Sequence, residues 1–313
     1  MPTKRRPRFG SLQFWPRKRA KRFLPSANWK PVLENSKKEG ILGFIGYKAG
    51  MSTAIVKDNT DKSMTKGKKK AVPVTVLEVP NMKIFSVRFY KNGKVMKEII
   101  VSNDKELKRK VRVPGNLGKI DNITGYDDLR VIAYSLVKST RIKKSPDLIE
   151  LAINAADKLG LVKGLIGKEI KLSDVLKFDL VDVRGLTKGK GFSGPVKRFG
   201  IGLRSHKSEK GVRRPGSLGP WHPAHVTFRT PLAGQLGMFT RVNYNLKVID
   251  SGEIKEKDIN KNSDFNNYGK IITSYIILSG SVQGPAKRQI LVTPAIRPNK
   301  KHNKKQYEFL GLE

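Results

Sequence analysis

The sequence predicts a mixed β fold: a small closed β-barrel with an α+β insertion, carrying long basic extensions. Three observations predict it. Short apolar or alternating runs recur between turn signals at residues 41–47, 51–56, 72–79, 178–183, 245–250, 270–278 and 289–293, a spacing suited to a small barrel. A second series of strand and helix patterns interrupts that set between residues 84 and 160. Lys and Arg number 64 against 26 Asp and Glu, a formal net charge of +38, and self-repulsion of that size opposes compaction unless a polyanion offsets it. Because the cations run the length of the chain instead of lining one amphipathic helix, nucleic acid is the expected partner and a membrane is not.

The elements follow in order. Residues 1–39 form a basic arm whose first 31 residues hold six Arg and four Lys and no acid, with Pro2, Pro7, Pro16, Pro25 and Pro31 to forbid a continuous helix. Phe9, Phe14, Trp15, Phe23 and Trp29 lie among its cations, and such rings need a surface to lie against, which splayed bases offer. Residues 40–83 are the first barrel part: a strand pair, 41–47 and 51–56, joined through Lys48-Ala49-Gly50, a lysine-rich polar loop at 57–70, and the strand 72–79. The insertion spans 84–166. Asn92-Gly93 between two β-branched runs signals a tight hairpin, and 131–137 is a further strand. Ser145-Pro146-Asp147 reads as the start of a helix whose apolar face is Leu148, Ala152, Ala155 and Leu159, ended by Gly160. Residues 167–184 and 241–296 complete the barrel, and 297–313 form a basic tail.

Between the last two barrel parts lies a loop, 185–240. The tract 184–245 holds seven Arg and five Lys against the single acid Glu209, with eleven Gly and five Pro. It has no apolar periodicity from which to build a core, so ordering on a partner is expected. Glycines allow close backbone approach, cations meet phosphates, and Phe192, Phe199, Trp221, Phe228 and Phe239 are free to stack on bases. The candidate RNA contacts are Arg5, Arg6, Arg8, Trp15, Arg17, Lys18, Arg19, Lys21 and Arg22 in the arm. In the loop they are Lys188, Lys190, Phe192, Lys197, Arg198, Arg204, His206, Lys207, Lys210, Arg213, Arg214, Trp221, His222, His225 and Arg229; beyond it, Arg241, Lys287, Arg288 and Arg297.

Other chemistries fit the residues poorly. Gly189-Lys-Gly-Phe-Ser-Gly194 matches a dinucleotide-binding fingerprint and follows a strand, but no apolar-faced helix continues it, and the tract that should supply the ribose-binding acid holds only Glu209. Nor is there a P-loop: Gly185 to Lys190 has the wrong spacing, and Gly191 takes the Ser/Thr position. His222 and His225 straddle a proline and lack two further zinc ligands. There is no cysteine, which excludes disulfides and thiolate catalysis. No catalytic residue, cofactor or metal is assigned, and an RNA-modifying or nucleotide-dependent enzyme, or a DNA-compacting protein, is the alternative reading. With no signal-peptide pattern and no apolar run near the length of a membrane span, a cytoplasmic protein is expected.

Several runs resemble the third protein of the large ribosomal subunit, in its archaeal and eukaryotic branch. They are Asp182-Val-Arg-Gly-Leu-Thr-Lys-Gly-Lys-Gly-Phe-Ser-Gly194 with Arg198, Gly219-Pro-Trp-His-Pro-Ala-His-Val226, and Gly234-Gln-Leu-Gly237 with Thr240, Arg241 and Asn243. Residues 7–20, 43–51, 284–288 and 294–297 extend the resemblance over nearly the whole chain. The resemblance implies a translation-protein-type barrel and a structural role in the large subunit. It implies an arm and central loop threaded into large-subunit ribosomal RNA, support of early subunit assembly, and a Trp221 tip near the peptidyl transferase centre. Neighbouring ribosomal proteins would be further partners, and no homo-oligomer is expected. Glu209 stands where eukaryotic relatives carry a histidine, so no role of that histidine is carried over.

Overall fold

The computed structural model describes residues 9–11, 13–36, 38–118, 120, 123–260 and 264–313. The chain divides into two compact units. One joins the described residues up to Arg22 with Leu186–Thr240; the other is Phe23–Gly185 with Arg241–Glu313. The elements are, in order, α1 (Trp29–Asn35), β1 (Gly40–Ile41), β2 (Phe44–Asp58), β3 (Lys69–Val79), β4 (Met82–Lys91), β5 (Lys94–Ile100), β6 (Asp128–Ser135) and β7 (Leu148–Asn154). Then come α2 (Lys158–Leu165), α3 (Leu172–Val175), β8 (Leu180–Leu186), β9 (Phe192–Ser193), α4 (Pro195–Phe199), β10 (Gly234–Gln235) and β11 (Thr240–Glu253). The last are β12 (Ser274–Ser279), β13 (Gln289–Pro294), α5 (Lys300–Asn303) and β14 (Tyr307–Leu312). Strands dominate and the helices are short, a mixed α and β fold as expected.

The larger unit holds two sheets. A seven-stranded sheet runs β13-β8-β11-β12-β3-β2-β14, and β13 also pairs with β2, through Gln289 opposite Tyr47 and Val292 opposite Phe44. A five-stranded sheet runs β1-β7-β6-β4-β5. The central strands of the large sheet are buried on both faces. Leu77 and Val79 of β3 and Ile276 and Leu278 of β12 join the main core, while Val72, Val74, Val76, Tyr275 and Ile277 join a second cluster with Ile249, Ile259 and Ile271. Burial on both faces explains why β12 reads as an apolar run, Tyr275-Ile-Ile-Leu278, rather than as clean alternation.

Three local expectations are corrected. Residues 148–154 are a strand, not the first half of a helix. Ile149, Leu151 and Ile153 are buried at period two, and β7 pairs with β6 through Ile132 opposite Glu150 and Arg130 opposite Ala152. The helix starts later, where the Asp157 side chain accepts the Gly160 N–H at 2.9 Å and so satisfies one of the orphan donors of α2. Residues 44–58 are one continuous strand, because Lys48-Ala49-Gly50 forms a bulge against β3 instead of a turn. Trp29 is buried in the main core on α1, so it is a packing residue of the larger unit and is not available for stacking. The Asn92-Gly93 turn is as expected: both residues have positive φ, +49° and +73°, as a two-residue hairpin of this twist requires.

The buried carboxylate of Glu78 ties one loop to the large sheet. It accepts the Tyr268 hydroxyl at 2.5 Å, the Ile272 and Thr273 N–H groups at 2.9 Å each, and the Thr273 hydroxyl at 3.0 Å.

Candidate nucleic-acid interface

The smaller unit is built around a backbone stem. The chain leaves at the end of β8 and returns at the start of β11. The two limbs are joined by Thr187 N–H to the Phe239 carbonyl at 3.0 Å, Lys190 N–H to the Leu236 carbonyl at 2.9 Å, and Leu236 N–H to the Gly191 carbonyl at 2.9 Å. Beyond them β9 pairs with β10, Ser193 opposite Gly234 and Phe192 opposite Gln235. Gly237 lies at φ +79°, and a Cβ there would sit 2.0 Å from the Lys188 carbonyl oxygen. The glycine run therefore serves the close approach of two limbs. The Lys190 N–H is taken within the stem and is not open to a phosphate. No nucleotide-binding helix follows: α4 is five residues long and ends at Gly200, which adopts the left-handed conformation.

Arginines of the sequence-predicted set are held by the protein at Arg198, Arg204, Arg17 and Arg288, among others. Arg198 donates from Nε to the Gln235 carbonyl at 3.1 Å and from Nη1 to the Leu232 carbonyl at 2.9 Å, and burial lowers its pKa from the usual guanidinium value. Arg204 donates to the Pro215 carbonyl at 2.8 Å, Arg17 donates to the Ser11 carbonyl, and Arg288, in the larger unit, lies 5.4 Å from the Phe23 ring centroid. Arg17 and Arg198 lie 4.9 and 5.2 Å from the Phe199 ring centroid, a cation–π arrangement about a buried ring. Phe199 is therefore a packing residue, a correction to its reading as a free stacking ring. Arg184 leaves the basic surface too: it is buried in β8 and bonded to the Thr293 hydroxyl.

The remaining cations face outward. Lys18, Arg19, Lys21, Arg22, Lys188, Lys190, Lys197, Lys207, Lys210, Arg213, Arg214 and Arg229 are exposed, as are His206, His222 and His225 in the same unit, and Arg241, Lys287 and Arg297 in the larger one. Glu209 is the only acid of the 184–245 tract. Phe192 is 81% exposed and Trp221 85% exposed, so most of each large apolar side chain lies in water. Trp15 is half-buried, its ring 6.3 Å from that of Phe228 at an interplanar angle of 27°. Its indole N–H has no acceptor among the described residues. Arg5, Arg6 and Arg8 lie outside the described residues. Sequence reasoning missed β9, β10 and the Trp15–Phe228 pair, because their partners are far apart in the chain and no local pattern marks them.

This architecture predicts an order of proteolysis. In the free protein the first cuts are expected within residues 201–231, where exposed backbone predominates, whereas the stem at 186–193 and 234–240 resists. Mass spectrometry of a limited tryptic digest checks this. Cuts in the stem as early as those at Arg213 and Arg214 would contradict the hydrogen-bonded limbs.

Among known proteins, the family model described as Ribosomal protein L3 matches residues 1–113 and 100–310. Curated relatives named large ribosomal subunit protein uL3 match at similar levels. That of Methanococcus vannielii is 39% identical over 94% of this chain and 92% of its own length. That of Archaeoglobus fulgidus is 39% identical over 95% and 94%, and that of Methanothrix harundinacea 40% over 95% and 93%.

Proposed function

The chain belongs to the ribosomal protein L3 family, and from that premise we propose that it is a structural constituent of the large ribosomal subunit. It binds large-subunit ribosomal RNA and supports early assembly of the subunit. The smaller unit is the main RNA contact, with the exposed cations named above on phosphates and the exposed rings on splayed bases. The larger unit anchors it: its seven-stranded sheet closes as a translation-protein-type barrel, the β13–β2 pairing being the observation that supports closure. The protein works in the cytoplasm, as one copy among neighbouring ribosomal proteins, and performs no chemistry of its own.

The single observation that carries this reading is the composition of the smaller unit's surface: many exposed cations and open rings, with one acid in the tract. Neutralising phosphates releases counterions, and that release drives binding where the protein's own core cannot. The glycine run packs a stem, which removes the feature that an enzyme reading would use. Co-sedimentation with large subunits through a high-salt sucrose gradient tests the proposal; a chain that stays at the top of the gradient would refute it.

Trp221 is proposed as the tip near the peptidyl transferase centre. Being 85% exposed, it contributes little to packing, so Trp221→Ala is expected to leave the free protein's melting temperature nearly unchanged. A buried tryptophan would cost about 3–5 kcal/mol on the same substitution. Base stacking is worth about 1–3 kcal/mol, small beside the many phosphate contacts, so incorporation into subunits should persist. The expected defect is local: altered aminoacyl-tRNA accommodation or altered response to peptidyl-transferase inhibitors. Melting of the free variant and inhibitor response of subunits that contain it check the two halves.

A further inference from the structure

We infer that the hairpin joining β2 to β3 is a second RNA contact, a lysine clamp that grips the phosphate backbone and reads no base. The inference rests on the proposed place of the chain in the large subunit. Residues 57–70 hold six lysines against two aspartates, with no arginine and no aromatic ring. Lys57, Lys62, Lys66, Lys68, Lys69 and Lys70 are all exposed. Lys66 pairs with Asp61 at 2.8 Å and Lys57 lies 3.9 Å from Glu308; among the described residues the other four have no ion-pair partner.

Two features separate this hairpin from an ordinary solvated loop. First, Lys57 stands directly opposite Lys69 across the β2–β3 ladder, with Lys70 next in register. Like charges placed opposite each other destabilise a strand pair, so the protein alone gains nothing from the arrangement. Second, the tip is internally braced. The Asp58 carboxylate accepts the Thr60 N–H at 3.0 Å, the Ser63 hydroxyl at 3.0 Å and the Thr65 hydroxyl at 2.6 Å. The Gly67 N–H donates to the Asp58 carbonyl at 2.7 Å, and the Asp58 N–H to the Lys68 carbonyl at 3.1 Å. One of the two acids is thus turned inward to hold the turn, and its hydrogen bonds with Thr60 and Thr65 keep it well below the usual carboxylate range. A preformed tip avoids part of the ordering cost of binding.

The chemistry selects the partner. Lysine is a hydrated point charge suited to single phosphate oxygens, whereas the smaller unit also presents rings for bases. Protein–protein interfaces are depleted in lysine and enriched in the aromatic and arginine residues missing here, so an acidic protein is the poorer fit.

The chain has no cysteine, so Met64→Cys places a single thiol on this tip, at a side chain already 96% exposed. Iron-EDTA tethered there, in large subunits assembled with the full-length variant, is expected to cut ribosomal RNA at a confined set of positions. The same thiol should be shielded from a bulky maleimide in the subunit and open in the free protein. Equal maleimide reactivity in both states would overturn the inference, because the hairpin would then face solvent. Shielding without RNA cleavage would also overturn it, by assigning the tip to a protein neighbour. A second variant, full-length with Lys62, Lys68, Lys69 and Lys70 changed to Gln, is expected to lower the slope of log K against log salt by about 0.7–0.9 per lost contact, for binding to a large-subunit RNA transcript. An unchanged slope counts against the clamp whatever the labelling result. Failure of the wild-type chain to co-sediment with subunits refutes the proposed function itself, whereas loss of these signals alone refutes only the clamp.

Discussion

Gly237→Ala is expected to abolish stable incorporation into large subunits while leaving the core of the larger unit folded. Two physical terms act together. The residue lies at φ +79°, where a side chain costs about 1–2 kcal/mol for its left-handed conformation alone. The added Cβ would also sit 2.0 Å from the Lys188 carbonyl oxygen and 3.0 Å from the Gly189 Cα, both backbone atoms that cannot swing aside. Relief requires the two limbs of the stem to part, which breaks the bonds of Lys190 with Leu236 and of Leu236 with Gly191. The exposed cations beyond the stem then lose their common frame, and ordering them on RNA costs more. Gly194→Ala is the control, since that glycine has ordinary φ and open space for a Cβ. Gradient sedimentation of both variants, beside thermal melting of each free protein, gives the comparison. Normal incorporation of Gly237→Ala would show that the stem is dispensable.

Binding to a large-subunit RNA transcript is expected to weaken by about 10³–10⁵-fold between 50 and 200 mM salt, the loss that goes with roughly six to ten phosphate contacts. The exposed cations of the smaller unit are numerous enough for that, and four of its arginines and lysines at a time can be tested. Changing Lys188, Lys190, Arg213 and Arg214 to Gln should lower the salt slope by about 0.7–0.9 for each contact removed. Changing Arg204, which holds the Pro215 carbonyl, should instead disturb the fold of the loop and reduce affinity with less change in slope. The comparison needs the full-length chain. A fragment such as 40–180 would keep β2 and β3 but lose β12, β13 and β14, the strands that pair with them. Equal slopes for wild type and the four-fold variant would remove those residues from the interface.

Some of the fold was legible because its signals are local. Asn92-Gly93 specifies a turn through the φ angles those two residues tolerate, and the strands on either side followed. Residues 148–160 were not legible, since Leu148, Ala152, Ala155 and Leu159 keep helical spacing while Ile149, Leu151 and Ile153 keep strand spacing. Pairing with β6 selects the second pattern, and β6 is remote from any window that a periodicity can read. The interface divides in the same way. Net charge and the lack of acids in the arm and central loop are the pattern expected of a polyanion-binding surface. Which arginines brace carbonyls and which reach outward was invisible, because Arg198 and Arg213 look alike in sequence.

By itself the sequence determined the charge, the lack of cysteine, the Asn92-Gly93 turn and the basic, acid-poor character of the arm and central loop. Each of these is a property of side-chain types or of one or two backbone angles, and needs no distant partner. Only the tertiary structure decided that Trp29 and Phe199 are buried and Trp221 is not, that the glycine run closes a stem, and that 44–58 is one bulged strand. It also decided that Lys57 faces Lys69 on adjacent strands. The physical reason is that burial and register belong to pairs of segments far apart in the chain. The energy that settles them, apolar area removed from water and backbone hydrogen bonds closed, is released only when those segments meet.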